Sequence, residues 1–276
     1  MMIRIKPLLI FFGLVMITSC SDGDETITQN TTNSMKELSS ITEADLQTLS
    51  SKKIYFAHMS VGYNILEGVQ MIADENSSIN FRIVETRDKS AFSKPVLAHS
   101  RIGENSQPKY KMDDFIKVLD SGIGDSADVA FLKFCYVDID RDTDIEEMFA
   151  SYIKMTETIQ QKYPDLTLLH LTVPLVVKPR DWKGKINKYL MRDRNIKRNQ
   201  INSMYRNHFN ESELFDVALY ETILPEGERY HYRIWGKKVY VLRPELTYDG
   251  GHLNETGSRL IGEQLIIKLA EILSGK

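Results

Sequence analysis

The stretch IYFAHMSVGYNILEGVQMIADE, residues 54 to 75, decides the fold class. A short run of strand-favouring Ile, Tyr and Phe is followed by a serine, and then by apolar residues at Ile65, Val69 and Ile72. Spacings of three and four describe one face of a helix, so the stretch predicts a strand running into a helix near Val61, with Ser60 at the junction. The alternation recurs down the chain. INFRIVETR (79–87), DVAFLKFCYVDI (128–139), DLTLLHLTVPL (165–175) and LFDVALYE (214–221) read as strands. KMDDFIKVLDSG (111–122), IEEMFASYIKMTETIQQKY (145–163), NIKRNQINSMYRNHF (195–209) and ETGSRLIGEQLIIKLAEIL (255–273) read as helices. Continuous apolar strands joined through helices need crossover connections, which predicts an α/β fold: a three-layer α/β/α sandwich on a roughly five-stranded parallel sheet. YHYRIWGKKVYVLRPELTY (230–248) reads as a β-hairpin turning at Gly236-Lys237, an elaboration before the last helix.

The amino-terminal segment has a different character. Arg4 and Lys6 precede the apolar run PLLIFFGLVMI, which is short for a membrane span and ends in TSC. This is the pattern of an export signal, and ITSC followed by Ser21 resembles a bacterial lipobox, which implies lipidation at Cys20. The expected product is an exported lipoprotein of the cell envelope, held to the membrane through Cys20. The acidic SDGDE that follows resembles the tether of surface-displayed lipoproteins. Residues 1–20 are thus read as the signal peptide, 21–50 as a polar linker with one short capped helix at most, in SITEADLQTLS, and 51–276 as the folded domain. With Cys20 lipidated, Cys135 has no disulfide partner and is expected to be a buried small hydrophobe.

A formal charge of -3 gives no basic excess for neutralising phosphates, so nucleic acid is not an expected partner. The basic stretch RDWKGKINKYLMRDRNIKR (180–198) reads as a solvated helix face. No histidines or cysteines stand at metal-ligand spacing and no glycine-rich phosphate loop is present, so neither a metal nor a cofactor is expected.

In an open parallel sheet, ligands meet the carboxyl ends of the strands, and Ser60 leaves one such end at a helix amino terminus. Serine needs an imidazole to take its proton, and the imidazole needs a carboxylate to fix its tautomer. The stretch DGGHLNETG, residues 249 to 257, supplies both: Asp249 and His252 lie three apart on a glycine turn, with Asn254 placed to cap the last helix. These blocks resemble the SGNH hydrolases, the esterase superfamily also called GDSL, whose final block is Asp-x-x-His ahead of the carboxy-terminal helix. The resemblance implies a flavodoxin-like sheet and a serine ester hydrolase with Ser60 as nucleophile, His252 as base and Asp249 as orienter.

The other blocks diverge. In place of Gly-Asp-Ser stands His58-Met59-Ser60, and in place of Gly-x-Asn-Asp stands Cys135-Tyr136-Val137-Asp138, so the asparagine donor to the oxyanion is missing. The resemblance assigns the oxyanion to the amides of Ser60 and Gly103; the side chains that could stand in for the asparagine are Tyr136, Asn105 and His58, of which His58 reads as structural. His170 reads as a core or strand-end histidine, and Tyr63, Tyr136, Trp182 and Trp235 are candidate pocket aromatics. The expected substrate is an O-acyl, above all O-acetyl, ester on carbohydrate or another small ester. A non-catalytic glycan- or partner-binding lipoprotein, or an O-acyltransferase on the same triad, are the alternatives. An α/β-hydrolase elbow at HMSVG fits less well, because the serine follows the first strand and acid and base share one turn.

Overall fold

The computed structural model describes residues 35–179 and 194–275. Cys20, the signal segment, Trp182 and most of the basic stretch lie outside them. Strand β1 (Lys53–His58) sits at the centre of a five-stranded sheet, flanked by β3 (Val96–Arg101) and β4 (Val129–Leu132). Strands β2 (Ile83–Glu85) and β5 (Thr167–Leu168) form the edges, giving the order β2-β3-β1-β4-β5 with every pairing parallel. The expected α/β sandwich is therefore present. Side chains along β1 alternate between its two faces. Ile54 and Phe56 join a core with Val61, Ile65, Val69, Leu97, Val129, Phe131 and Leu265, while Tyr55 and Ala57 join a second core with Ala98, Phe115, Ala130, Leu132 and Tyr152. Both faces are covered by helices, which is why the strands read as unbroken apolar runs.

The membership of the sheet differs from the expectation in two places. Strand β3 is absent from the sequence reading, because Pro95 precedes it and His99 and Ser100 interrupt its short apolar run; all but Arg101 are nevertheless buried. At the other edge, the 165–175 segment changes partner at Leu169: β5 pairs with β4, whereas β6 (His170–Leu171) pairs with β7 (Leu214–Phe215). The strand expected over 214–221 stops after two residues, since the Asp216 side chain caps the turn at Val217–Tyr220 by accepting from the Leu219 amide. The linker boundary also shifts. Thr42 caps helix α1 (Glu43–Ser50), whose Leu46 and Leu49 are buried in the first core, so the folded body includes the second half of the 21–50 segment. Two leucines at helical spacing suffice to seat a single turn pair against a larger helix.

Helix α2 (Val61–Glu75) starts one residue after Ser60, and the last helix, α7 (Glu255–Ser274), starts three residues after His252. Besides their shared apolar side chains and the Arg259–Glu75 ion pair, these two helices come close enough for backbone to meet backbone. A Cβ on Gly68 would lie 1.8 Å from the Ser258 carbonyl oxygen, and one on Gly262 would lie 2.5 Å from the Gly68 carbonyl carbon. The glycine crossing therefore sets the separation of the two helix ends that carry Ser60 and His252. Gly68→Ala is expected to destabilise the protein by about 1–3 kcal/mol through overpacking, and to shift the melting midpoint in denaturant titration by a matching amount.

Ahead of α7 in the chain stands the hairpin of β8 (His231–Ile234) and β9 (Lys237–Tyr240), with a small apolar cluster of its own. Its turn is Trp235-Gly236, one residue earlier than the sequence suggested. Both residues have positive φ, 48° and 82°, the combination that matches a tight turn to strand twist.

Candidate active site

Ser60 has φ 53° and ψ -110°, a conformation that costs a non-glycine residue on the order of 1 kcal/mol or more. Several bonds hold it there. The Tyr63 amide donates to the Ser60 carbonyl at 2.8 Å, the Gly62 amide to the Met59 carbonyl at 3.1 Å, and the Ile102 amide to the His58 carbonyl at 3.1 Å. Gly62 is required because a Cβ there would lie 2.3 Å from the His58 ring. Beneath the turn, the His58 and His99 rings share a hydrogen bond of 3.0 Å, which fits the structural reading of His58. Cys135 is buried as expected and its thiol faces the Met59 carbonyl at 3.5 Å.

The second half of the site is the turn from Asp249 to His252. Gly250, at φ 96°, lets the chain reverse, and its carbonyl accepts from the Val177 amide at 2.9 Å. The Thr247 hydroxyl bonds the His252 carbonyl and accepts from the Gly250 amide, and Asn64 on α2 accepts from the Leu253 amide at 3.3 Å. Asn254 caps α7 through the Gly257 amide, as the sequence implied. The result is a fixed imidazole. One Asp249 carboxylate oxygen faces His252 Nδ1 at 2.6 Å, and the other accepts from the backbone amides of Gly251 and His252 at 2.9 and 2.8 Å. His252 Nε2 is hydrogen-bonded to Ser60 Oγ.

Ser60, His252 and Asp249 therefore form one continuous hydrogen-bonded series across the mouth of the sheet. Partial burial pushes the Asp249 carboxyl up, but the bonds from the His252 ring and the two amides outweigh it and hold the carboxyl below its usual range. The site lies at the surface, with the Asp249 side chain 42% exposed and that of His252 29% exposed. Such an arrangement can deprotonate a serine as it attacks a carbonyl and return the proton to the leaving group.

The expected oxyanion donors fare differently. The Gly103 amide donates to Asp114 at 2.8 Å, and Asp114 is in turn held by a two-point bond from Arg87, so this amide is diverted from an oxyanion. The φ of 49° at Gly103 and the packing of its Cα against Lys111 explain the glycine instead. Asn105 accepts from Lys111 Nζ at 3.1 Å through its oxygen. Tyr136 does lie at the site: its ring meets the His252 ring edge-on with centroids 5.7 Å apart, and a Cβ on Gly251 would touch it. Desolvation, then the nearby Asp249 carboxylate, push the Tyr136 phenol above its ordinary value, so it stays protonated and able to donate.

Asp138, the residue retained from the third block, points inward. It is 3% exposed and accepts from Lys111 Nζ at 2.6 Å, the Cys135 amide at 2.6 Å and the Ser106 amide at 2.8 Å. It therefore ties the 103–107 loop to the turn bearing Tyr136, with Lys111 as its buried counter-charge. Of the other candidate aromatics, Tyr63 packs against His58 and His99 and bonds Glu85 at 2.8 Å, while Trp235 stands at the hairpin tip rather than in a pocket.

One supporting device was missed. Helix α5 (Arg194–His208) presents Asn195, Asn199 and Asn202 on one face, and each amide side chain clasps a peptide by donating to its carbonyl and accepting from its N–H. Asn202 clasps Val173, Asn195 clasps Val176 and Asn199 clasps Tyr240. The Asn202 and Asn195 amides take the place of a strand neighbour beyond the end of β7 and so hold the segment leading to Val177, which carries the Gly250 turn, while Asn199 ties α5 to the hairpin. Spacings of four and three in NIKRNQIN were the available signal. Arg198, on the same helix, donates to the Tyr136 carbonyl at 2.8 Å.

Two buried histidines make the fold acid-sensitive. Burial lowers His58 to about 2, with Lys133 and His99 adding to the effect, and lowers His170 to about 3, with His208 adding. His170 shares a 2.9 Å hydrogen bond with the Tyr152 hydroxyl and is a core residue. Both are neutral in the fold but take protons once unfolded, so the stability they contribute is complete above about pH 6.5 and falls as pH drops toward 3, by about 1.4 kcal/mol per unit per histidine. The melting temperature is expected to decline steadily from pH 6.5 to 4.5. Buried Glu221, its carboxyl raised to about 8, acts in the opposite sense over this range, so His170→Gln should flatten the decline relative to wild type.

No family model and no curated protein matches the chain. Among solved structures, the chain is similar to a protein described as a platelet activating factor from Streptococcus pneumonia, at 16% identity and a TM-score of 0.47, covering 82% of this chain and 90% of that one. It is also similar to a lipolytic protein of the G-D-S-L family from Desulfitobacterium hafniense, at 9% identity and a TM-score of 0.41, covering 79% and 99% of the two chains. A third is the salicylyl-acyltransferase SsfX3 from a tetracycline biosynthetic pathway, at 13% identity and a TM-score of 0.36, covering 81% of this chain and 55% of that one.

Proposed function

We propose that the chain is a serine esterase that cleaves O-acyl esters through an acyl-enzyme. The observation that carries this reading is the hydrogen-bonded series from Ser60 Oγ through His252 to Asp249, closed between residues 192 positions apart. Ser60 attacks the ester carbonyl while His252 Nε2 takes its proton. The proton then passes to the departing alkoxide, and water repeats the sequence in reverse to free the acid. The Ser60 amide and the Tyr136 phenol are the donors best placed for the oxyanion, because the Gly103 amide is held by Asp114.

The substrate we favour is an O-acetyl group on carbohydrate. The sequence supports this through the export signal and the lipobox at Cys20, which would put the enzyme on the envelope among acylated glycans. The surface-level triad supports it too, since an ester on a large chain can reach such a site. Exposed Tyr248 adds an aromatic face beside His252, with nearly parallel rings whose centroids are 6.0 Å apart.

The test is acetate release from a panel of acetylated sugars and from 4-nitrophenyl acetate, with and without a free glycan acceptor. Acetate from the sugars without acceptor is the expected result. Acyl transfer to the acceptor at the expense of free acetate would mark an acyltransferase. No turnover of any ester by folded protein would leave only a binding protein.

A further inference from the structure

The chain buries a second lysine that neither the triad nor the Asp138 ion pair uses. Lys133 follows β4 and is fully buried, yet among the described residues no carboxylate stands within ion-pair distance of it, whereas Lys111 has Asp138 at 2.6 Å. Its Nζ donates instead to the Phe134 carbonyl at 3.1 Å and to Cys135 Sγ at 3.6 Å. Burial lowers its affinity for a proton, but as ammonium or as amine it remains a donor. A lysine in such a place is costly unless its hydrogens are used.

The thiol passes the contact on. Cys135 Sγ donates to the Met59 carbonyl at 3.5 Å, and the Gly62 amide donates to the same oxygen at 3.1 Å. The peptide held in this way joins Met59 to Ser60. Its N–H is the Ser60 amide, which has no acceptor among the described residues. A donor on the carbonyl oxygen polarises the peptide and makes its N–H a stronger donor, and a further donor upstream adds to the effect. Two donors on one oxygen also fix the peptide plane beside the strained Ser60 backbone.

We propose that Lys133 and Cys135 are positioning residues for the oxyanion: a buried series from Lys133 Nζ through Cys135 Sγ to the Met59 carbonyl orients and strengthens the Ser60 amide as it receives the negative charge. The inference rests on the esterase reading and deepens it. Both side chains are buried away from the substrate, and no proton has to move along the series. Of the two backbone donors expected for the oxyanion, the Gly103 amide is held by Asp114, so the strength of the Ser60 amide bears directly on the rate.

The experiment measures kcat and KM for 4-nitrophenyl acetate, the thermal midpoint, and the inhibition constant of an aryl trifluoromethyl ketone, which forms a tetrahedral oxyanion on the serine. Full-length wild type is compared with Ser60→Ala, Lys133→Met, Cys135→Ala, Cys135→Ser and the double variant Lys133→Met/Cys135→Ala. Losing a whole oxyanion donor costs about 10^2- to 10^3-fold in kcat, so weakening one is expected to cost roughly tenfold. Cys135→Ala should show that loss in kcat and the same factor in the inhibition constant, with KM changed by less than about twofold. Cys135→Ser keeps an O–H and should recover most of it. Lys133→Met should fall between wild type and Cys135→Ala, and the double variant should match Cys135→Ala, because the lysine acts through the thiol. Wild-type kcat and inhibition constant in folded Lys133→Met would overturn the proposal, as would a double variant whose losses multiply, or equal losses in Cys135→Ala and Cys135→Ser. The alanine and serine pair decides alone if Lys133→Met folds poorly. A wild type without Ser60-dependent turnover removes the esterase reading and this inference together, whereas an active wild type with any of the other three results removes only the series.

Discussion

Ser60→Ala is expected to lower kcat/KM for any ester the protein cleaves by on the order of 10^4-fold, about 5 kcal/mol of transition-state stabilisation, with no loss of folding. The hydroxyl is the only group in the series that can form the covalent bond, so nothing else in the site can replace it. Folding should persist because the Ser60 side chain caps no helix amide, and the strained backbone is held by bonds from Tyr63, Gly62 and Ile102. The check is steady-state hydrolysis of 4-nitrophenyl acetate, together with the thermal midpoint of each protein. Residual activity at a tenth of wild type would remove Ser60 from the mechanism.

Asp249→Asn should be nearly as severe, at about 10^3- to 10^4-fold in kcat, and worse than Asp249→Ala. The reason lies in the second oxygen. It accepts from two backbone amides, so an asparagine must turn its carbonyl toward them and its NH2 toward His252 Nδ1. The imidazole is then forced to carry its proton on Nε2, where it cannot accept from Ser60. Alanine leaves Nδ1 open to water, because Asp249 stands 42% exposed, and water tolerates either tautomer. Equal or milder damage from asparagine, measured as kcat on the same ester, would mean that the carboxylate acts through charge alone.

Much of this was legible because the relevant signals are local. A strand entering a helix at Val61, the Asp249 to His252 turn, the Asn254 cap and the hairpin each depend on residues within a few positions of one another. What was hidden depends on partners far along the chain. Strand β3 is short and carries His99 and Ser100, yet it is buried between β1 and β2 in the fold. Gly103 occupied the expected interval, but Asp114, eleven residues on, captures its amide. The Asp138 carboxylate kept its place in the motif while serving Lys111 and two backbone amides. The asparagine clasps of α5 on Val173 and Val176 lie where β7, ended by the Asp216 cap, no longer supplies a partner. Side-chain amides then do the bonding that a neighbouring strand would have done.

In the proposed reaction the Ser60 oxygen, activated by His252, forms a covalent acyl bond. The most direct measurement is reaction of the folded protein with a fluorophosphonate, followed by mass mapping of the adduct. One adduct per chain, on Ser60, is expected, with labelling slowed at least a hundredfold by His252→Ala. An unlabelled Ser60 in folded protein, or labelling at an unchanged rate without His252, would contradict it.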